Sequence, residues 1–142
     1  MKNLFLILAM VIVSFVFSMC SGNNIPVESH WALKNLYSNG NEIEIPLDHN
    51  PAISFLKEGK ISGETGCNRF FGDFSANDKA LTFSNMGSTR MMCPQMEFEG
   101  AYLTALDKVS SYLIHDDSLV LKDNEGNIIA ILERITTGTL EN

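Results

Sequence analysis

The sequence predicts a mainly β fold, a curled antiparallel sheet or partly open β-barrel with one covering α-helix. Three observations carry that expectation. Apolar and polar residues alternate in many short runs, turn residues bound those runs, and only one segment, after Pro94, changes to a helical period. The chain has 142 residues, which fits one domain and excludes a multidomain enzyme. Ten glycines, only four prolines and 45% hydrophobic residues describe a packed globule rather than a disordered tail.

At the N-terminus, Lys2 precedes an apolar run from Leu4 to Phe17, interrupted only by Ser14 and followed by Ser18-Met19-Cys20-Ser21-Gly22-Asn23-Asn24. Charged, apolar and small residues in that order predict a secretory signal peptide over residues 1–19, and the run is shorter than the ~20 apolar residues a membrane span needs. A Cys between the apolar core and a polar Ser/Gly/Asn stretch resembles a bacterial lipobox, in which the thiol is acylated and becomes the new N-terminus. Phe17 and Met19 depart from the aliphatic and small residues of that pattern. The alternative is ordinary secretory cleavage near Ser21 or Gly22, with Cys20 a bystander. Lipidation of Cys20 is favoured because each buried acyl CH₂ contributes ~0.8 kcal/mol, so several chains on one residue hold firmly. Residues 20–28 then form a tether, 29–135 the domain and 136–142 a loose tail.

Along the domain, Trp31 and Leu33 alternate with polar neighbours, and Ser38-Asn39-Gly40-Asn41 is a hairpin turn. Ile43 and Ile45 alternate before Pro46, and Ile53 and Phe55 after Pro51. Lys57-Glu58-Gly59-Lys60 is the next turn. Ile61 through Phe74 reads as one long strand in which Gly63, Gly66 and Gly72 mark bulges or bends. Asn77-Asp78-Lys79 turns the chain into Leu81 and Phe83. Phe98, Tyr102, Leu106, Val109 and Leu113 then form one helical stripe, with Pro94 in its first turn and Glu97 and Glu99 at its positive end. Leu119 with Leu121 and Ile129 with Ile131 are two closing strands around the turn at Asp123–Asn127.

The net charge is −7, and Lys2 is the only charge in the first 19 residues, so the remainder is more acidic still. Such a surface repels phosphate backbones and anionic headgroups, which argues against nucleic-acid partners and polybasic membrane attachment. If Cys20 carries lipid, Cys67 and Cys93 remain as an even pair in an oxidising compartment, which invites one disulfide. A loop of roughly 27 residues would contribute ~3–4 kcal/mol by chain entropy, although sequence leaves the spatial separation of the pair open.

The densest cluster is Gly66-Cys67-Asn68-Arg69-Phe70-Phe71-Gly72, followed by Thr89-Arg90-Met91-Met92-Cys93-Pro94 and Met96-Glu97-Phe98-Glu99. On these motifs the chain resembles the META domain family, whose bacterial members include the heat-shock protein HslJ. The resemblance extends to Trp31 and Leu33, Ile61-Ser62-Gly63, and Leu119 and Leu121, and so spans nearly the whole mature chain. It implies a lipocalin-like barrel with one helix, commonly carried on palmitate-anchored envelope lipoproteins linked to stress and antibiotic tolerance. It supplies no catalytic residues, cofactor or ligand set. The signature residues Gly66, Asn68, Arg69, Thr89, Arg90, Met91, Pro94, Glu97 and Glu99 are therefore expected to be structural.

Their chemistry fits that expectation. Asn68 tolerates left-handed backbone angles and bonds neighbouring amides at a bulge. Arg69 and Arg90 suit carbonyls or a carboxylate such as Glu97 or Glu99, with an anionic ligand as the alternative. Met86, Met91, Met92 and Met96 are expected to fill irregular core space under a barrel mouth, against the alternative of Cu(I) binding beside Cys93. His30, His49 and His115 are far apart and read as exposed, non-catalytic residues, and no metal set is expected. Glu97 and Glu99 point to different sides of a helix, and no nucleophile elbow, phosphate loop, dinucleotide fingerprint or zinc motif occurs. The expectation is a non-enzymatic lipoprotein of the outer membrane or periplasm, an interaction module with the membrane and an envelope protein as partners. The alternative is a small-ligand or metal binder at the barrel mouth.

Overall fold

A computed structural model describes residues 24–136. The expected signal peptide and Cys20 lie outside the described residues, as does all but the first residue of the expected tail. In order, the elements are β1 (Ser29–Ser38), β2 (Asn41–Ile43), β3 (Ala52–Phe55), a 3₁₀ turn (Lys57–Gly59), β4 (Lys60–Glu64) and β5 (Arg69–Asn77). They continue with β6 (Ala80–Ser88), α1 (Met96–Asp107), β7 (Ser111–His115), β8 (Ser118–Lys122) and β9 (Ile128–Arg134). Strands β1 and β3 to β9 pair antiparallel in sequence order, and β9 returns to β1, which closes an eight-stranded barrel. β2 pairs with β1 alone, through the hairpin at Asn39-Gly40.

Closure leaves a narrow seam. β6 and β7 share one residue pair, Ala80 opposite Ser111, and α1 lies in the connection between these two strands. On β1, Ser29, Trp31 and Leu33 face inward, and an irregularity between Leu33 and Asn35 resets the phase so that Leu36 faces inward next. A second irregularity sets Phe71–Asp73 opposite Ser84–Gly87, so the extra residue lies on β6 and Met86 rather than Asn85 follows Leu81 and Phe83 against the core.

The interior is filled. Trp31, Leu36, Ile53, Phe55, Phe70, Leu81, Tyr102, Leu106, Leu119, Leu121 and Leu132 are essentially inaccessible. Phe55 meets Phe74 edge-on at 5.0 Å, and Phe70 meets Tyr102 edge-on at 5.8 Å, so the helix is joined to the sheet through rings. The Arg134 guanidinium, opposite Trp31 and on the same face, lies 4.7 Å from the Trp31 ring centroid and covers the interior at the end of the β1–β9 pair.

Several expectations are corrected. Ile61 to Phe74 is two strands with a turn at 65–68, because Thr65 and Asn68 bond each other and reverse the chain. The helix carries Phe98, Tyr102 and Leu106 inward and ends at Asp107, whereas Leu113 is an exposed residue of β7 whose four-residue spacing is coincidental. Pro94 precedes the N-cap Gln95 rather than sitting in the first turn. The tether does not run to residue 28: Ile25 is buried in the core, its backbone bonds the Tyr112 hydroxyl, and the Glu28 amide donates to the Phe55 carbonyl at 2.7 Å.

Tyr102 has a buried hydroxyl with no hydrogen-bond partner among the described residues. Tyr102→Phe removes that cost and is expected to stabilise the domain by about 1 kcal/mol in chemical denaturation. Burial also raises its phenol above the ordinary value of 10.0, and burial raises Tyr112 in the same direction. The folded chain keeps these protons after the unfolded chain releases them. The resulting stability is complete below about pH 10 and is lost as pH rises. Tyr102→Phe should therefore shift alkaline unfolding upward, and an unchanged alkaline midpoint contradicts this assignment.

Candidate functional site

The signature motifs meet at one end of the barrel, around the turn between β4 and β5. Asn68, 1% exposed, is the centre. Its Oδ1 accepts from the Met91 amide at 2.8 Å and the Thr89 hydroxyl at 2.9 Å. Its Nδ2 donates to the Met91 carbonyl at 3.1 Å and straddles the Glu99 carboxylate at 3.0 and 2.9 Å. The Met91 amide can only donate, so this set fixes which way the Asn68 amide points.

Glu99 is 6% exposed, in the first turn of α1 and near its positive end. The Thr65 hydroxyl lies 2.8 Å from its Oε2, so among the described residues the carboxylate is held by neutral donors and by no ion pair. Thr65 also shapes the turn: its amide donates to the Asn68 carbonyl at 2.9 Å, and its Oγ1 accepts from the Asn68 amide at 3.0 Å. Thr89 extends the ladder past β6, exchanging backbone and side-chain bonds with Arg69. The Cys67–Cys93 disulfide, Cα atoms 6.3 Å apart, brackets the same junction. One knot thus ties the β4–β5 turn, the 89–93 segment and the helix together.

Other signature residues stand elsewhere than expected. Arg69 is exposed and pairs with Glu64 at 3.5 Å, not with Glu97 or Glu99. Arg90 is exposed and lines a different groove, with Met86, Leu103 and Asp107. Glu97 is exposed while Glu99 is buried, which agrees with their assignment to different sides. Met86 is partly buried against the core, but Met91 and Met92 are 59% and 90% exposed, so they do not fill it. Met91 contributes its backbone, which is why its side chain is free to point outward. Among the described residues no group of three His, Cys, Asp or Glu side chains is placed to hold a metal, and Cys93 is committed to the disulfide.

Thr65 and His49 are participants that sequence reasoning passed over. For Thr65 a signal existed, a hydroxyl residue three positions before Asn at a glycine turn. For His49 there was none, since it arrives from a distant loop. Its ring packs on Gly66 with Nδ1 buried, so it is not the exposed residue expected. Gly66 has φ +104°, and a Cβ there would lie 2.0 Å from His49 Cδ2. Gly66→Ala is expected to cost about 2–4 kcal/mol from backbone strain plus the clash. Adding His49→Gly, which removes the ring and also the Cβ that would lie 2.6 Å away, should recover the clash and leave the strain, and full recovery would show that φ is unimportant.

Two hollows adjoin this end. A shallow one of about 290 Å³ is lined by Glu64, Gly66, Cys67, Asn68, Arg69, Thr89 and Met91. A larger cleft of about 500 Å³ runs between α1 and the two hairpin tips, with Tyr37, Asn39, Gly100, Lys108, Asp123 and Asn127 on its walls. The Asn127 side chain, with the backbone amides of Glu125, Gly126 and Asn127, holds the Asp123 carboxyl below its usual range.

A family model described as the META domain matches residues 24–135. Among solved structures, a solution structure of a protein from Burkholderia xenovorans is 25% identical with a TM-score of 0.65, covering 78% of this chain and 83% of that one. A second solution structure is 26% identical with a TM-score of 0.55, covering 75% and 88%. A duf4847 family protein from Bacteroides vulgatus, 14% identical with a TM-score of 0.55 over 79% and 96%, shares the fold alone. No curated protein gives a significant match.

Proposed function

The chain belongs to the META domain family, and from that premise we propose that it is a non-enzymatic, lipid-anchored protein of the bacterial cell envelope, a stress-related interaction module. One observation carries the reading. Cys67 and Cys93 are bridged, which suits an oxidising compartment, in a chain whose remaining Cys20 directly follows a signal-like segment. The filled interior and the mutual bonding of Thr65, Asn68, Thr89 and Glu99 support a structural use for the signature. Labelled palmitate should enter the wild-type chain and not Cys20→Ser. Equal labelling, or none, removes the anchor. Under heat or antibiotic stress, wild type should restore survival to a deletion strain and Cys20→Ser should not.

The cleft beside α1 favours a second reading, a small-ligand binder. Gly100 stands mid-helix with nothing within 4 Å of a Cβ built there. A helix-interior glycine costs about 1 kcal/mol relative to alanine, and packing does not explain this one. It keeps a wall of the cleft low. Small molecules that raise the melting temperature of wild type but not of Gly100→Leu support the reading, and a screen in which both respond alike discards it.

A further inference from the structure

We infer that the domain rests on the bilayer by the barrel end carrying Ile25, Glu28 and the Lys57–Gly59 turn, with the Cys67–Cys93 end directed away from the lipid. This rests on acylation of Cys20 proposed above. Ile25 is buried, and its backbone bonds Tyr112 on β7, while the Glu28 amide bonds Phe55 on β3. β8, β9 and β1 stand between β7 and β3 in the sheet, so residues 25–28 cross that opening of the barrel.

Chain length sets the geometry. Only Ser21, Gly22, Asn23 and Asn24 separate Cys20 from Ile25. In any conformation that link spans at most about 18 Å. The Asn68 end is a strand's length off: β5 runs from Arg69, next to Asn68, to Asn77 at the turn whose Lys79 carbonyl accepts from the Tyr112 amide, roughly 30 Å for its nine residues. An acylated Cys20 therefore holds the Ile25 end at the headgroups and cannot present the Asn68 end to them.

The near face suits a zwitterionic phospholipid surface. Val27 and Ile135 are 52% and 45% exposed, and the Ile135 amide bonds the His30 carbonyl beside the start of β1. Charges of both signs stand there: Lys57 pairs with Glu28 at 3.3 Å, Lys60 with Asp73 at 2.6 Å and Arg134 with Asp117 at 3.6 Å, and Glu58, Asp78 and Lys79 occupy the adjoining turns. Asp73 is further held ionised by Asn85, which lowers its carboxyl, and Lys60 is raised by Asp73. The face thus meets headgroups with aliphatic side chains and interspersed charges of both signs, which match the paired charges of a zwitterionic headgroup. Arg69, Met91 and Met92 are left facing the aqueous side, where an envelope partner would find them.

Amine acylation of the full-length lipidated protein in phosphatidylcholine vesicles, read by mass spectrometry against soluble Cys20→Ser, tests this. Lys57, Lys60 and Lys79 should react several-fold more slowly on vesicles, while Lys108 and Lys122 react equally in both. Inserting ten Gly/Ser residues after Asn23 should keep palmitate and vesicle binding but abolish the protection. Equal reactivity of all five lysines in protein shown to be acylated and bound overturns the orientation and leaves the anchor standing. Failure to incorporate palmitate overturns the anchor reading and the orientation with it.

Discussion

Asn68→Ala is expected to destabilise the domain by about 3–5 kcal/mol, read as a lower urea midpoint at unchanged slope. The cost has two parts of different permanence. Thr89 is exposed and a hollow of about 290 Å³ adjoins the site, so water can replace the bonds to the Thr89 hydroxyl and the Met91 backbone. Glu99 is 6% exposed and would keep only the Thr65 hydroxyl, and a buried carboxylate stripped of donors is the expensive part. Removing that carboxylate should then forgive much of the damage. Asn68→Ala with Glu99→Met is expected to cost at least about 2 kcal/mol less than the two single changes added together. A single-variant cost under about 1 kcal/mol, or strict additivity, would falsify the view of Asn68 as the hub.

Much of the barrel was legible because its signals are local. Asn39-Gly40 makes the β1–β2 hairpin, Ile53 and Phe55 alternate on β3, and Leu119 and Leu121 alternate on β8. The failures come where a distant partner decides. β7 is a strand because β8 pairs along all of it, and nothing in the spacing of Leu113 distinguishes that from one more helical turn. The turn at 65–68 depends on the Thr65 side chain, so the glycine-broken run looked continuous. At the candidate site the motifs contained Asn68, Thr89, Met91 and Glu99, which assemble, together with Arg90 and Glu97, which do not, and the disulfide pair came from the even cysteine count. They did not identify who holds whom. Asn68 was expected to serve neighbouring amides, and it does reach Met91, but its charged partner is Glu99, 31 positions away. The arginines were matched to carboxylates on chemistry alone, and the nearer Glu64 took Arg69. Family resemblance marks positions; it does not state their contacts.

Removing the Cys67–Cys93 bridge, by reduction or as Cys67→Ser with Cys93→Ser, is expected to cost about 3–4 kcal/mol, the chain-entropy value for its loop. The loss should not be spread evenly. The segment from Thr89 to Cys93 lies outside helix and strand, and the bridge and Asn68 are its ties to the β4–β5 turn. Without the bridge that segment should open first, while β8 and β9, paired along most of their length, hold. Amide exchange at Met91 should accelerate by at least tenfold in the reduced chain while that at Leu121 tracks only the global loss. The two fastenings also depend on each other: once the bridge is cut, the Asn68 bonds must order a freer segment. Asn68→Ala should therefore cost less in the reduced chain than in the oxidised one, by about 1 kcal/mol or more. An equal cost in both redox states would mean that the disulfide and the Asn68–Glu99 cluster stabilise separate parts of the molecule rather than one junction.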